Sequence, residues 1–480
     1  MSHDLLIGWA ARDVTPRRPV NLTGQFQPRI ATTARDPVTV TALALASGEA
    51  TGDYAVFVSC DTCGISAGVR DQCRQAVKAR LPSLDVSKII LNATHTHTAP
   101  QLSDGWYPPQ GPEVMTPKEY AVQFAAGVAD AVAEAWQVKK PGGVSWGFGY
   151  AVVGHNRRVV YFDDLSKRPD FKPFPGGFTH GTAAMYGDTN DAQFSHIEGY
   201  VDHSLDLLFT WDQNKKLTGL VLNLPCPSQE TGGESMISAD FWHDIRTELR
   251  GRHGQDLHIL PQCSAAGDIS PHPLLHKGAE ARMLQLKGLS QRAEIARRVA
   301  ATVDEILPYA AKEIVTSLPF RHVVQTIRLP RRMVTPAEYE AVRADFDRLE
   351  KDRAAKPDVP ALVSRTERCQ ETFQRYREQH RAPDLTEELH VVRLGDIAMA
   401  TTSFELFLDY GLQIKSQSKA LQTFVIQLTA SNTKGSYLPT ARAMTGGGYS
   451  VGIFDNDVGA EGGRVLVKET VGAIANLWKN

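Results

Sequence analysis

Three consecutive segments constrain the fold of this chain more than any other feature. Tyr54-Ala-Val-Phe-Val-Ser-Cys60 is a short apolar, β-branched run that reads as a buried strand. Val69 to Arg80 follows with a helical pattern, and Lys88-Ile-Ile-Leu-Asn-Ala93 has the length and Ile content of a second buried strand. Strand, helix and strand in succession predict a mixed α/β protein, a β-sheet core with flanking helices. Val38 to Leu45 adds a strand upstream. Leu217 to Leu224 and Leu257 to Leu260 read as strands on either side of a helix over Ala239 to Gly251. Leu389 to Thr401 and Leu421 to Thr429 return to strand, and Val467 to Trp478 closes as a helix.

Between these elements lie irregular stretches that can border a site. Thr98 to Thr116 holds four prolines and two glycines and precedes a helix over Lys118 to Trp136. Asp163 to Asp191 is rich in Gly, Pro and aromatic residues. It reads equally well as a functional loop and as a surface excursion. Residues 335–382 turn strongly charged, with Pro357 and Pro360 dividing two helices. This is read as a helical hairpin inserted in a single domain spanning 1–480, serving packing or dimerisation rather than catalysis. A homo-oligomer is left open.

Composition removes several function classes. A formal net charge of -2 over 480 residues offers no basic face for nucleic acid, so a small-molecule substrate is expected. No apolar run approaches the length of a spanning helix, and the amino terminus lacks the basic and apolar pattern of a signal peptide, so no integral membrane segment is expected. The six cysteines are scattered rather than framed for disulfides, which suits a cytoplasmic location. Cys60-Asp-Thr-Cys63 has redox-motif spacing, but it ends a strand instead of opening a helix and is read as structural.

The chemistry concentrates where the Ile-rich strand ends, in Asn92-Ala-Thr-His-Thr-His-Thr-Ala-Pro100. On an extended strand His95 and His97 would share a face, whereas a strand end can splay them. Two imidazoles this close suit metal ligation or proton transfer. The run resembles the Ala-Thr-His-Thr-His-Ser-Gly-Pro element of the neutral/alkaline ceramidases, and further elements are similar in the same order up to about residue 455. The resemblance implies the fold of that family's N-terminal catalytic domain and a Zn2+ cofactor, with His95 as ligand and His97 as general acid/base. Asn156-Arg157 is similar to an Asn-Arg element near the catalytic centre, with Arg158 leaving the register open by one residue. Asn223-Leu-Pro-Cys-Pro-Ser-Gln229 matches a segment that carries the family's second histidine ligand. Cys226 stands in that position, either as a thiolate ligand or as a small buried residue at a strand end. As a ligand it would donate more charge than imidazole and make zinc a weaker Lewis acid.

Ser403-Phe-Glu-Leu-Phe407 resembles the element that supplies the carboxylate ligand, which implies Glu405; a structural ion pair is the alternative. Ser436-Tyr-Leu-Pro-Thr440 implies Tyr437 as the last ligand. Tyr449 falls where the family places a tyrosine that stabilises the oxyanion, and Gln262 to Pro271 resembles an active-site segment whose matched residues are Asp268 and Ser270. The family also carries a secretion signal and a carboxyl-terminal β-sandwich domain, neither of which is expected here. The resemblance therefore implies a zinc-dependent hydrolase of an amide (N-acyl) bond, acting in lipid metabolism or on a soluble non-lipid substrate. A zinc ester hydrolase, a zinc-free hydrolase using Ser270 or Cys226, and a non-catalytic binding protein are the alternatives.

Overall fold

The computed structural model describes residues 5–48, 52–105, 107–169, 181–355, 359–430 and 437–479. The main sheet is built from β1 (Leu5–Asp13), β2 (Thr39–Ala46), β3 (Tyr54–Cys60), β4 (Ile89–Ala93), β5 (Lys140–Tyr150), β6 (Ser204–Asp212), β7 (Leu217–Leu224) and β8 (His258–Cys263). Their spatial order is β8-β7-β6-β5-β1-β2-β3-β4. The inner neighbours pair antiparallel, while each edge is a parallel pair, β3 with β4 and β7 with β8. A second sheet of four strands runs β9 (Phe320–Pro330), β10 (Asp384–Leu394), β11 (Ile397–Thr401) and β12 (Gln422–Ile426), ending in a third parallel pair, β11 with β12.

Parallel neighbours need a crossover, and within these two sheets helices supply all three. These are α1 (Ala67–Arg80) between β3 and β4, α3 (Phe241–His253) between β7 and β8, and α7 (Leu408–Gln417) between β11 and β12. The remaining long helices are α2 (Pro117–Gln137), α4 (Gln291–Ala310), α5 (Pro336–Ala355), α6 (Pro360–Glu378) and α8 (Ala460–Leu477). Helix α2 starts on Thr116 with Pro117 in its first turn, and Thr116 and Glu119 cap one another reciprocally.

Period-two alternation sorts the strand residues into layers. In β2 and β3, Val40, Ala42, Ala44, Val56 and Val58 pack under α1 and α2, while Leu43, Leu45, Ala55 and Phe57 face the second sheet. They meet Val392, Leu394, Ile397, Met399, Phe424 and Ile426 from that sheet. Its other face buries Val391, Ala398, Ala400 and Val425 against α7 and α8. The result is helices, sheet, sheet, helices. With both faces covered, each large side chain such as Phe57 contributes about 2–3 kcal/mol.

The expected mixed α/β class holds. Leu389 to Thr401 is two strands rather than one, because Gly395, at φ 63°, turns β10 back into β11. Residues 170–180 of the aromatic stretch lie outside the described residues. Helices α5 and α6 connect the paired strands β9 and β10, and pack through Val342, Leu349, Leu362 and Cys369 onto Val334 and Ile453. Among the described residues no helix is long and apolar enough to cross a membrane.

Candidate active site

The three parallel pairs aim their carboxyl ends at one place, the position where α/β sheets commonly present ligands. β3 runs into Asp61 to Cys63, β4 into Thr94 to His97, β11 into Thr402 to Glu405, and β12 into Gln427 to Thr429. Backbone bonds lock these ends together: Ala93 N–H donates to Leu428 O, Thr94 N–H to Cys60 O, and His95 N–H to Thr62 O. Held this way, His95 adopts φ 67°, a left-handed conformation that costs about 1–3 kcal/mol outside glycine and takes the chain out of strand geometry. The flanking threonines anchor the run: Thr96 Oγ1 and Thr98 Oγ1 both donate to Ser238 O.

The two imidazoles stand 4.9 Å apart at 75°, with their Nε2 atoms 3.4 Å from one another. His95 Nδ1 lies 2.6 Å from Cys63 O, which holds a proton on Nδ1 and turns Nε2 toward Glu405. Glu405 Oε2 is 3.3 Å from that Nε2. Burial opposes charge on His95, but Cys63 and Glu405 outweigh it and hold the imidazole well above its ordinary pKa. Burial, reinforced by His95, Arg157 and Arg29, drives His97 well below its own. Gln229 Nε2 lies 2.9 Å from His97 Nε2, matching a neutral ring that accepts there. Burial would raise Glu405, yet His95 and Arg157 keep it below the usual carboxylate range.

Of the two adjacent arginines, Arg157 belongs to this group. Its Nη2 is 3.9 Å from Glu405 Oε2 and donates to Tyr437 Oη at 3.3 Å, and its Nη1 donates to Tyr186 Oη at 3.1 Å. Arg158 is turned the other way, fully buried on Glu198, and donates to the carbonyls of Ala443, Gly447 and Tyr449. The Tyr437 and Tyr449 rings meet edge to face at 5.6 Å with their hydroxyls hydrogen-bonded, and Tyr437 is also bonded to Glu405. Burial raises the Tyr437 pKa well above the phenol range, with Glu405 and Tyr449 adding to it.

His95, His97, Arg157, Glu405, Tyr437 and Tyr449 are thus brought together, and three other sequence candidates are not. Cys226 is buried in the core against α3, with its thiol donating to Pro227 O at 3.5 Å, and burial raises its pKa well above the thiol range. Asp268 accepts from Asn156 Nδ2 at 2.9 Å and Leu408 N–H at 2.8 Å, tying the loops that carry Arg157 and Glu405; burial pushes it up to about 6. Ser270 is fully buried and accepts from His272 N–H at 3.1 Å, closing a turn. Asp61 likewise serves the scaffold through a buried two-pronged pair with Arg246.

Three contributors escaped the sequence reading. Cys63, His95 and His97 offer ligand atoms that all lie within 4.8 Å of one another, so the thiol at this site comes from the Cys60-x-x-Cys63 strand end. Its spacing looked redox-like, and only the pairing of β3 with β4 places it beside His95. Gln229 reaches His97 from the segment that carries Cys226. Arg368 of α6 lines the cavity, a role with no local signature on a charged helix. The cavity has a volume of about 340 Å³. Phe26, Ile65, Leu102 and Leu428 give it apolar walls, His95, His97, Glu405, Tyr437 and Tyr449 its polar wall, and Gln101 to Asp104 of the proline-rich loop part of its rim.

The donors fit a borderline divalent ion: an imidazole, a carboxylate and a phenol, with a thiol adjacent, are ligand types that zinc accepts. Neither protein-family models nor curated protein sequences give a match to this sequence. Solved structures do. The crystal structure of the neutral ceramidase from Pseudomonas aeruginosa superposes with a TM-score of 0.69 at 17% identity, over 99% of this chain and 75% of that one. A ceramidase complexed with C2 superposes at 0.66 and 16% identity, over 98% and 74%. The chain therefore has a neutral ceramidase-like fold, with a group of side chains able to hold a metal ion at the carboxyl ends of its parallel strands.

Proposed function

We propose that the protein is a zinc-dependent hydrolase of N-acyl amides. The observation that carries this reading is the convergence of His95 Nε2, Glu405 Oε2 and His97 Nε2 within 3.4 Å neighbour to neighbour, on a wall shared with Tyr437 and Tyr449. His95, Glu405 and Tyr437 would hold the ion, with the Cys63 thiol as the sulfur donor nearest to them. Zinc in such a site supplies an acidified water and a polarised carbonyl.

The side chains divide the remaining work. The His95 carbonyl-bonded Nδ1 and the buried carboxylate of Glu405 keep the ligand geometry fixed before substrate arrives. Arg157, positive under all conditions, offsets the charge of Glu405 and fixes the Tyr437 hydroxyl. Tyr449 donates toward the carbonyl oxygen as charge develops on it. His97, neutral at rest, takes a proton from the attacking water and returns it to the leaving nitrogen as the C–N bond breaks and the new C–O bond forms. A cavity of about 340 Å³ with both apolar and polar walls is of the size that takes a small-molecule ligand.

The test is metal content and turnover together. Protein purified without added metal is expected to carry about one zinc per chain by elemental analysis and to cleave a chromogenic short-chain N-acyl anilide. His95→Ala should lose both, and turnover persisting in that variant at unchanged zinc content would sink the reading.

A further inference from the structure

Two imidazoles that do not line the cavity are buried where the second sheet meets the edge of the first. His322 of β9 and His390 of β10 are 4% and 3% exposed. They belong to one unbroken chain of contacts. His322 Nδ1 lies 3.0 Å from Tyr54 O at the start of β3, His322 Nε2 lies 3.0 Å from His390 Nδ1, and His390 Nε2 lies 2.8 Å from Glu388 Oε1. Glu388 accepts from Arg74 of α1 at 3.0 and 2.7 Å, and Arg74 also donates to Ile89 O of β4 at 3.0 Å. The chain thus fastens β9 and β10 to β3, α1 and β4. Residues 62–66, which join β3 to α1, line the cavity.

Counting protons limits what this chain can hold. It has three contacts, each of which takes one proton, and both of its ends, a carbonyl and a carboxylate, are acceptors. Burial would raise Glu388, yet His390 and Arg74 hold it well below the usual carboxylate range. Two neutral rings bring two protons, and one imidazolium brings the third that completes the set. A second imidazolium would set two N–H groups head to head across 3.0 Å. The closed pair therefore carries at most one charge, whereas separated rings take up a proton each below about pH 6.5. Of the charged groups facing the pair, Glu388 and Asp53 favour charge; Asp53 accepts from His322 N–H at 2.6 Å. Lys88, paired with Asp53, and Arg70 and Arg74 of α1 oppose it. Burial and the neighbouring ring push His322 down to about 3, and burial holds His390 below its ordinary value against the pull of Glu388.

We propose that the His322–His390 pair is an acid-sensitive latch, which holds β9 and β10 against β3 and α1 at neutral pH and releases them as pH falls. Opening takes up protons that the closed chain cannot hold, so acid favours the open state. Depressed imidazoles contribute stability that is present above about pH 6.5 and lost as pH falls below it. Release frees Tyr54 and Arg74, and with them the two elements between which residues 62–66 of the cavity wall are slung. The latch acts whatever the cavity binds.

Amide hydrogen exchange of the full-length protein, read by mass spectrometry and corrected for the intrinsic pH dependence of exchange, measures the opening. In the segments 54–80 and 320–326 it is expected to rise about tenfold or more between about pH 7.5 and 5.5, a factor of about ten for each ring kept neutral when closed. His322→Gln keeps a donor for Tyr54 O and an acceptor for His390, and leaves one ring that can charge against Glu388 without a second. Most of the rise should disappear in this variant. Metal loss in acid would loosen both proteins alike, so their difference reads the latch. Should the variant fail to fold, exchange of the imidazole C2 protons in the wild type decides, and both rings must titrate with midpoints below about 6.5. Opening indifferent to pH, an equal rise in the variant, or ordinary midpoints for the two rings overturns the proposal.

Discussion

At the scale of single residues, the deciding quantity is where a side chain's polar atom ends up. Cys226 occupies the position after β7 where a ligand was expected, but its thiol is spent on Pro227 O, whereas the Cys63 sulfur lies within 4.8 Å of a ligand atom on each of His95 and His97. Cys63→Ser is therefore expected to weaken zinc binding by about tenfold or more and to remove thiolate-to-metal charge-transfer absorption from the cobalt-substituted protein. Cys226→Ser should keep both. Asp268 gives a pH signature. Its folded pKa of about 6 lies above the ordinary aspartate value, because burial disfavours its charge. A raised carboxyl contributes stability that is complete below the unfolded pKa and lost as pH rises through the folded one, here between about pH 4 and 6. Two pH units correspond to about 3 kcal/mol. Asp268→Asn should flatten denaturant-measured stability across that window; an unchanged pH slope would place the titrating group elsewhere.

At the scale of elements, the site depends on how closely the loops after parallel strands can approach. Gly267 is the tightest such contact: a Cβ there would sit 2.4 Å from the backbone oxygen of Glu405. Neither backbone can give way, because Gly267 N–H donates to Leu406 O and Asp268 receives Leu408 N–H. Gly267→Ala is expected to keep the far-ultraviolet circular dichroism of the wild type while lowering zinc affinity on the order of tenfold. Normal zinc affinity in a folded variant would show that the Glu405 strand does not position the metal set. Gly24 plays a comparable part beside His97: at φ 92° it leaves room where a Cβ would fall 2.4 Å from His97 Cγ. Both glycines sit in loops with no periodicity, so their role could not be read from spacing.

At the scale of the whole molecule, two sheets back to back and three crossovers gather residues from 23 to 455 around one cavity. A ligand set drawn from such separated segments couples metal to folding. Chelation is expected to lower the melting temperature, and free zinc at 100 times its dissociation constant to restore about 2.7 kcal/mol. A melting curve indifferent to chelator would argue against a buried metal. The sequence by itself determined the α/β class and several elements, Tyr54–Cys60 and Leu217–Leu224 to the residue, because buried strands and amphipathic helices carry their periodicity locally. It also marked His95 and His97 by their spacing, and Glu405 and Tyr437 through the resemblance of their segments to ceramidase elements, with the apolar neighbours of Glu405 adding weight to that one. Only the tertiary structure decided between Arg157 and Arg158, brought Cys63 in and left Cys226 out, and put Arg368 of the hairpin on the cavity wall. Those outcomes turn on which way a side chain faces and which distant loop it meets, and neither leaves a local pattern in the chain.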